Sequence, residues 1–309
     1  MLMPGRDAYV EAVQNPDNFG LPLLKRLGLV RHPETNAPMA WPGAFGIVFR
    51  MENSHGDARA VKCFTSAYPI RAERYEAVSD YFDTLFSRNT ASVRFLAESY
   101  YARQGVQVGR RWQPLLIMEW VEGDLFNRHV GALCAQSYPR PQLLALARTW
   151  AELMRALRAD RLVHGDLQHG NMLVTPDGTV KLIDYDGMCV PLLIGRFVLE
   201  GGHPNYQHPC RVQQYNERLD EFSGLVILAA LVILAACPDL WDRYDIRRNM
   251  LFQESDFKNP EGSALFAELD TLEEPGVRIV TQAMRRACLA RNTDGIPSFD
   301  SVAGALGLY

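Results

Sequence analysis

Hydrophobic and polar positions change their period between the first and second parts of the chain. The runs PGAFGIVFRMEN, from Pro42, and ARAVKCF, from Ala58, are rich in β-branched and aromatic residues and are separated by the polar turn SHGD. This pattern predicts a β-hairpin whose first turn is rich in glycine. The runs VRFLAESYYA and QPLLIMEW predict two more strands. Before them, residues 71–87 predict a helix that buries one face, formed by Tyr75, Val78, Phe82 and Leu85.

Longer helices dominate the second part of the chain. The run PQLLALARTWAELMRALRADRL repeats apolar side chains at helical spacing, at Leu144, Ala147, Trp150, Met154 and Leu157. Residues 171–187, NMLVTPDGTVKLIDYDG, predict two short strands joined by a Pro-Asp-Gly turn. Residues 224–237 carry no charge, but these 14 residues fall short of the roughly 20 that cross a bilayer. We therefore predict a buried core helix there.

Residues 1–40 differ from both parts and are predicted to be an N-terminal extension. They combine a short amphipathic helix around Ala8–Val13 with loop material rich in Pro, Asn and Gly. Their apolar residues suit either of two roles, capping the neighbouring sheet or docking a partner. These residues are Leu21, Leu23, Leu24 and Leu27.

Composition narrows the classes of function. With 309 residues, 48% of them hydrophobic, the chain has enough apolar material for one large domain or two lobes. A formal net charge of -4 argues against a dedicated binder of nucleic acid or of anionic membranes, which leaves small molecules or proteins as partners. The six scattered cysteines form no CxxC pair, and the charged N-terminus MLMPGRDAYVEAV lacks the apolar run of a secretory signal. We therefore expect reduced thiols and a cytoplasmic protein.

Three polar residues near the predicted Pro-Asp-Gly hairpin carry the candidate chemistry. Asp166 and Asn171 lie five residues apart in HGDLQHGN, which begins at His164, and Asp184 follows at the end of the second strand. Phosphoryl transfer needs a carboxylate that orients the attacking hydroxyl and accepts its proton, together with oxygen ligands that hold Mg²⁺ on the phosphates. Asp166 is therefore the candidate base, and Asn171 and Asp184 are the candidate metal ligands.

With the motifs that surround it, HGDLQHGN resembles the protein kinase superfamily over residues 41–303, and within it the bacterial eukaryotic-like Ser/Thr protein kinases. The resemblance implies an α+β, bilobal protein-kinase-like fold. Residues 41–121 would form the N-lobe, a small antiparallel β-sheet with one helix, and residues 122–309 the larger, mainly α C-lobe. The resemblance also implies ATP and Mg²⁺ as cofactors and a protein substrate or signalling partner.

Two motifs of the predicted hairpin resemble the phosphate-binding parts of the family. AVKCF resembles its third-strand motif, which makes Lys62 the residue that pairs with the α- and β-phosphates. PGAFGIVF resembles the end of its Gly-rich loop, so Gly43 and Gly46 would close over the phosphates of ATP. Val48 would pack on its adenine base. Trp41 stands where the family has its first glycine, which leaves the loop incomplete. The acidic helix partner of Lys62 stays open between Glu73, Glu76 and Asp80.

IMEWVEGDL resembles the family's hinge, the segment that binds adenine. Backbone groups of Glu119 and Val121 would form hydrogen bonds with the base, and Met118 would be the gatekeeper. Asp124 would lie near the ribose. Leu173, in NMLV, would form the floor beneath the base.

The segment after the candidate base departs from the family pattern. GHPNYQHP, from Gly202, resembles the end of an activation segment, but Gly165 stands in place of the arginine that reads a phosphate there. Residues 184–210 contain no Ser or Thr. Switching by phosphorylation of Ser or Thr in this segment is therefore excluded, and Tyr185 and Tyr206 are the remaining acceptors.

The substrate side departs as well. Gln168 replaces the lysine that the family places two residues past the base, and His203 replaces the threonine that contacts this lysine. Asp186 stands where the Asp-Phe-Gly motif has its glycine. Cys210 and Ile296 replace a glutamate and the arginine that pairs with it. Because these losses come in pairs, they indicate a coherent variant lineage rather than a decaying enzyme.

The leading hypothesis is an ATP- and Mg²⁺-dependent kinase that acts on a protein Ser or Thr hydroxyl, its own included. One alternative is a nucleotide-binding pseudokinase or regulatory module, which the incomplete Gly-rich loop and Gln168 favour. Another is a small-molecule kinase, because HGDLxxxN resembles the aminoglycoside and choline kinase branch. His169, His203 and His208 match no familiar metal-ligand spacing, so we interpret them as loop residues. The oligomeric state and the upstream signal stay open.

Overall fold

The computed structural model describes residues 3–43, 45–66, 71–198 and 200–308 of the chain. It divides into two compact units. The first consists of Met1–Arg88 and Ala97–Val121, and the second of Asn89–Leu96 and Glu122–Tyr309. Residues 1–40, which we expected to be an extension, form part of the first unit.

Within the described residues of the first unit, six strands form one antiparallel sheet in the order β1-β3-β4-β6-β5, and β2 also pairs with β3. The predicted hairpin is confirmed as β3–β4, in which Gly46 pairs with Phe64 and Glu52 with Ala58. The strands are β1 (Gly28–Leu29), β2 (Ala40–Pro42), β3 (Gly46–Glu52), β4 (Ala58–Phe64), β5 (Ser99–Val108) and β6 (Arg111–Glu119).

The two faces of this sheet differ because side chains alternate along β3. Ile47, Phe49 and Met51 are buried in the hydrophobic core on one face. Val48 and Arg50, on the other face, are only half buried. Along β3, the second face is therefore less buried than the first.

The N-terminal segment covers the buried face of the sheet. It contains helices α1 (Arg6–Ala12) and α2 (Pro22–Lys25). Tyr9 Oη donates a hydrogen bond to the Phe64 carbonyl (2.9 Å), whereas Leu23 is 47% exposed. The segment thus caps the sheet, which is one of the two roles that the sequence left open. Its members in the core are Tyr9, Ala12, Val13, Phe19, Leu24 and Leu27.

Helix α3 (Arg71–Arg88) confirms the predicted helix, and all four residues of its predicted face are buried. The strand predicted from Val93 is wrong in its first half, since β5 begins only at Ser99. Val93–Phe95 form a 3-10 turn instead, and this turn belongs to the second unit. Phe95 and its neighbour Leu96 are both buried, so the alternation of buried and exposed side chains typical of a strand is absent here.

The second unit is mainly helical. The long predicted helix is confirmed as α5, but Leu144 is only half buried, and Leu143 and Leu146 line the buried face at that end. The described helices of the second unit are α4 (Phe126–Cys134), α5 (Arg140–Ala159), α6 (Glu221–Ala236), α7 (Leu240–Tyr244), α8 (Glu254–Lys258), α9 (Ala264–Leu269), α10 (Pro275–Leu289) and α11 (Phe299–Ala305).

Helix α6 carries the uncharged run and confirms the predicted core helix. Its residues are buried from Glu221 to Ala235. Trp150 on α5 donates a hydrogen bond from its indole nitrogen to the Gly224 carbonyl (3.0 Å). None of the helices in the described part of the chain has both the length and the apolar character that a membrane span requires.

A three-stranded antiparallel sheet accompanies these helices. It consists of β7 (Asp124–Leu125), β8 (Met172–Val174) and β9 (Val180–Leu182), in that order. The β8–β9 pair confirms the hairpin that was predicted around the Pro-Asp-Gly turn. An antiparallel sheet unit followed by a helical unit is the α+β class predicted from the resemblance to bilobal kinases.

Candidate active site

One face of the first unit's sheet collects several predicted nucleotide contacts. Lys62, which is 6% exposed, pairs across the sheet with Val48 on β3 and Leu116 on β6. Residues paired directly across antiparallel strands project from the same face. Ala60, two residues before Lys62, pairs with Met118, so the predicted gatekeeper shares this face. We call it the Lys62 face, defined by Val48, Ala60, Lys62, Leu116 and Met118.

The two predicted glycines of the phosphate loop differ in what they require. A Cβ at Gly46 would lie 2.4 Å from the Cys63 carbonyl oxygen, so the close approach of β3 and β4 needs glycine there. A Cβ at Gly43 would have only ordinary contacts. The Gly43 amide donates a hydrogen bond to the Gly46 carbonyl (2.8 Å), which closes the turn. Ala44, between them, lies outside the described residues.

Trp41 also contributes to the Lys62 face, which sequence reasoning missed. It pairs with Val48 across β2 and β3, so its indole projects from the same face. Its ring centroid lies 5.1 Å from that of Trp120, which stands between the two predicted hinge residues. The Arg50 guanidinium lies 4.9 Å from the centroid of the Trp120 ring. The structure thus places an aromatic side chain where the resemblance counted only a lost glycine.

The predicted hinge residues lie at the end of β6. The Glu119 amide donates a hydrogen bond to the Glu98 carbonyl (2.8 Å). In the hydrogen bond that we expect between Glu119 and adenine, the Glu119 carbonyl oxygen would therefore be the acceptor. Val121 is the last residue of the first unit.

Among the acidic candidates on α3, Glu76 has a defined partner. Its carboxylate forms an ion pair with Arg103 on β5, in which Arg103 Nη2 lies 2.6 Å from Glu76 Oε2. Glu73 and Asp80 are exposed. The choice of an acidic partner for Lys62 therefore stays a prediction.

The second unit holds the other predicted residues, beginning with Asp166. Both oxygens of its carboxylate accept hydrogen bonds, Oδ1 from the His203 backbone amide (2.8 Å) and Oδ2 from Asn171 Nδ2 (3.0 Å). Asn171 Nδ2 also donates to the Asp166 carbonyl (2.9 Å). This orients the carboxylate in the segment 164–171, which we call the Asp166 loop.

The backbone before Asp166 is held by a buried acid. Asp220, which is 6% exposed, accepts hydrogen bonds from the amides of His164 (2.5 Å) and Gly165 (2.9 Å). Burial raises the pKa of Asp220, and His164 and the two amides oppose this rise. Gly165 has a φ of +79°, and a Cβ there would lie 2.2 Å from the Gly187 carbonyl oxygen. Glycine is therefore required at position 165 on both counts.

His164 has a structural role. It is fully buried, and its Nε2 forms a hydrogen bond with the Ile183 carbonyl (3.1 Å). Through Ile183, this bond connects the Asp166 loop to the segment that leads to Asp184.

The predicted metal ligands lie on adjoining backbone segments. The Ile183 amide donates a hydrogen bond to the Asn171 carbonyl (2.9 Å), and Asp184 follows directly in the left-handed region, at φ 59° and ψ 81°. Asn171 uses its Nδ2 on Asp166, which leaves its amide oxygen as the donor for a cation. One amide oxygen and one carboxylate suit Mg²⁺, which keeps several waters and binds substrate phosphates. The part of the chain that the structure describes contains no group of three His, Cys, Asp or Glu placed to hold a metal ion.

The predicted ribose and base contacts of this unit lie on its small sheet. Asp124 pairs with Val174, and Leu125 with Leu173, across β7 and β8. A Cβ at Gly123 would lie 2.5 Å from the Val174 carbonyl oxygen, so this glycine allows the close approach of the two strands. Asp124 is exposed and Leu173 half buried.

Two histidines and a tyrosine pack beside Asp166. A hydrogen bond of 2.6 Å joins His169 Nδ1 to Tyr206 Oη, and the His203 ring lies 5.5 Å from the Tyr206 ring. Burial lowers the pKa of His169 to about 4, His203 acts in the same direction, and Asp166 opposes it. Burial also lowers the pKa of His203. Both imidazoles are therefore neutral at pH 7.

The positions that depart from the family pattern have local partners in the structure. Gln168 accepts a hydrogen bond from the Gly170 amide (3.0 Å) and so caps the turn before Asn171. His203 contributes its backbone amide to Asp166, as described above. Tyr185 and Tyr206, the remaining phosphate acceptors of the segment, are both fully buried. Their phosphorylation would require this packing to open.

Comparison with known proteins finds kinases. Residues 119–193 match a family model described as a phosphotransferase enzyme family. A probable serine/threonine protein kinase IRE of Arabidopsis thaliana is 32% identical over 151 residues, which cover 46% of this chain and 12% of that protein. Serine/threonine-protein kinase A-Raf of Mus musculus is 30% identical over 164 residues, or 53% of this chain and 23% of that protein.

A third relative matches most of this chain. It is leaf rust 10 disease-resistance locus receptor-like protein kinase-like 1.3 of Arabidopsis thaliana, 25% identical over 282 residues that cover 85% of this chain and 38% of the relative. The matched phosphotransferase segment contains both the Asp166 loop and Asp184. Together these matches support a member of the protein kinase superfamily. The chain spans a minor part of each relative, so a role for a whole relative is not transferred to it, and its bacterial origin stays a prediction.

Proposed function

We propose that this kinase-superfamily chain is an ATP- and Mg²⁺-dependent phosphotransferase that transfers the γ-phosphate to a Ser or Thr hydroxyl of a protein, its own included. The observation that carries the proposal is the orientation of the Asp166 carboxylate by the His203 amide and Asn171 Nδ2. Each oxygen keeps a second lone pair, so the carboxylate can orient an attacking hydroxyl and accept its proton.

The other residues would position the donor. Lys62 would bind the α- and β-phosphates, and the Lys62 face, extended by Trp41 and Trp120, would receive the base. Asn171 and Asp184 would hold Mg²⁺, which when bound neutralises the charge on the phosphates. This assignment needs little covalent chemistry from the protein, because positioning and charge stabilisation supply most of the catalysis in phosphoryl transfer.

The test compares wild type with Asp166→Ala. We expect thermal stabilisation by ATP with Mg²⁺ in both proteins, but incorporation of phosphate, located by mass spectrometry, only in wild type. The expected loss is about a hundredfold or more in rate, as for removal of a general base. Asp294→Ala, which removes an exposed carboxylate in the turn Thr293–Gly295, is the matched control and should keep the wild-type rate.

Two other outcomes point to the alternatives. Nucleotide binding without phosphate incorporation into any acceptor would identify a pseudokinase or regulatory module. Transfer to a small-molecule hydroxyl, and not to protein, would identify a small-molecule kinase. The second alternative is compatible with the matched family, whose description, a phosphotransferase enzyme family, does not specify the substrate.

We also propose a protein substrate or signalling partner and a cytoplasmic location. The negative formal charge of -4 supports a partner other than nucleic acid. The six cysteines, all within the described residues, form no disulfide, which is in keeping with a reducing compartment. Recovery of the phosphorylated acceptor from a reaction with ATP would test the partner class directly.

A further inference from the structure

We propose that Arg211 is a positioning residue for the Asp166 loop, an inference that rests on the proposed function of Asp166. Its guanidinium reaches two segments at once. Nη2 donates to the Gly165 carbonyl (2.7 Å) and, more weakly, to the Glu200 carbonyl (3.4 Å). Nη1 donates to Gln207 Oε1. Arg211 therefore connects the Asp166 loop to residues 200–207.

The contact with Gly165 acts on the peptide bond that begins Asp166. Because a peptide unit is planar, fixing the Gly165 carbonyl also fixes the direction of the Asp166 amide. On the other side of Gly165, Asp220 accepts a hydrogen bond from the Gly165 amide (2.9 Å). The two peptide units that meet at Gly165 are thus each held by a charged side chain, one by Asp220 and the other by Arg211.

Gly165 needs such external contacts more than another residue would. It has no side chain to restrict it, and it adopts a φ of +79° among the many conformations open to glycine. Its carbonyl and amide contacts therefore supply the conformational restriction that its own side chain does not. Without Arg211, the bond to Asp220 remains, and the peptide unit that begins Asp166 keeps only a longer hydrogen bond among the described residues, from the Asp166 amide to His164 Nδ1 (3.4 Å).

The chemistry of arginine suits this role. Its planar fork presents several donors at fixed angles, so one side chain satisfies acceptors on two segments, which the single ammonium of lysine does less well. Burial lowers the pKa of Arg211. The carboxylates of Asp220 and Asp166 oppose this shift and favour the charged guanidinium. Residues 184–210 contain no Ser or Thr, so the hydrogen bonds of Arg211 do not require phosphorylation of a Ser or Thr in this segment.

The test uses Arg211→Ala and Arg211→Lys in the full chain, with autophosphorylation from ATP and Mg²⁺ and amide hydrogen exchange as readouts. In Arg211→Ala we expect the transfer rate to fall about tenfold, the loss typical of a hydrogen bond from a charged donor. ATP affinity should change less than about twofold, and exchange should accelerate in residues 164–171. Arg211→Lys should recover part of both effects.

Arg218 provides the matched control. It is also half buried and also donates to a backbone carbonyl, that of Ile296 (2.7 Å), but it does not bond to the Asp166 loop. Arg218→Ala should leave the transfer rate and the exchange of residues 164–171 unchanged. The proposal is overturned if Arg211→Ala keeps wild-type exchange in these residues, or keeps the wild-type rate. If wild type transfers no phosphate, the proposed function fails, and the exchange comparison of the Arg211 and Arg218 variants still decides whether Arg211 positions the loop.

Discussion

The Lys62 face and the Asp166 loop are built in different ways. The Lys62 face results from strand pairing, in which each residue is placed by the regular register of β3, β4 and β6. The Asp166 loop has no such repeat. Its conformation depends on individual hydrogen bonds with distant residues, in which Asp220 accepts from the loop and His203 and Arg211 donate to it.

This difference predicts different responses to mutation. A change on the Lys62 face should alter one contact with a ligand, because the neighbouring pairs of the sheet maintain the register. A change at a residue that holds the Asp166 loop should affect the fold and the transfer rate together, since few contacts are present to replace the lost one. The predictions below test this contrast.

The largest effect is expected for Asp220→Ala. The substitution leaves the His164 and Gly165 amides buried without their acceptor, at about 1 to 3 kcal/mol for each group. We expect the free energy of unfolding to fall by about 3 kcal/mol, measured by denaturant titration with circular dichroism. Asp220→Asn keeps an acceptor oxygen in the same place and should recover part of the loss. A loss below about 1 kcal/mol in the Ala variant would contradict the described role.

Gly165→Ala should have the next largest effect. The new Cβ would meet the Gly187 carbonyl oxygen at 2.2 Å and would force a left-handed φ on alanine. We expect a loss of about 2 kcal/mol in unfolding free energy, together with a reduced transfer rate. Gly178→Ala separates the two causes, because Gly178 has a similar φ of +83° and open space around it. It should cost only about 1 kcal/mol and leave transfer intact; equal losses in the two variants would rule out the steric contribution.

On the Lys62 face, Trp41→Ala should reduce nucleotide affinity without unfolding the sheet. Stacking of a base on an aromatic side chain contributes about 1 to 3 kcal/mol, so we expect about a tenfold weaker affinity for ATP by calorimetry. Trp112→Ala is the control, since Trp112 is 41% exposed, close to the 42% of Trp41, and pairs with Gln107 on β5. If both variants bind ATP like wild type, Trp41 has no part in the nucleotide site.

The smallest effect is expected from the histidines beside Asp166. The pKa of His169 is lowered to about 4 by burial, whereas histidine in an unfolded chain titrates near about 6.5. Between these values the unfolded chain binds a proton that the folded chain does not. The stability of the neutral state is therefore fully present above about pH 6.5 and is lost as the pH falls towards 4.

His169→Gln removes this proton linkage. The midpoint of thermal unfolding should therefore change less between pH 7 and pH 5 in this variant than in wild type. His55→Gln, in the exposed turn between β3 and β4, should keep the wild-type pH dependence. An identical pH dependence in wild type and His169→Gln would show that the imidazole does not couple to folding.

Much of the fold could be predicted because its signals are local. Two β-branched and aromatic runs around a polar turn predicted the pairing of β3 and β4, and the spacing of Tyr75 and Phe82 predicted the buried face of α3. The prediction failed where a local pattern was overruled by tertiary packing. Residues 93–96 are mostly apolar, but the adjacent residues Phe95 and Leu96 are both buried, and the strand starts only at Ser99.

The candidate site shows the same division. Asp166, Asn171 and Asp184 could be named from the sequence, because phosphoryl transfer requires these residue types and the motif has a recognisable spacing. Trp41 was missed because the pairing register of β2 with β3, and not the sequence motif, decides the face from which its side chain projects.

The sequence by itself determined the residue types, their spacing and the periods that form each strand and helix. These properties depend on neighbours along the chain. Only the tertiary structure decided which backbone groups hold Asp166, since His203 is 37 residues away from it and Arg211 is 46 residues away from Gly165. Contacts at such separations depend on how the whole chain folds, and no local pattern encodes them. The residue types and the spacing in the Asp166 loop were therefore readable from the sequence, whereas the contacts that position the loop were not.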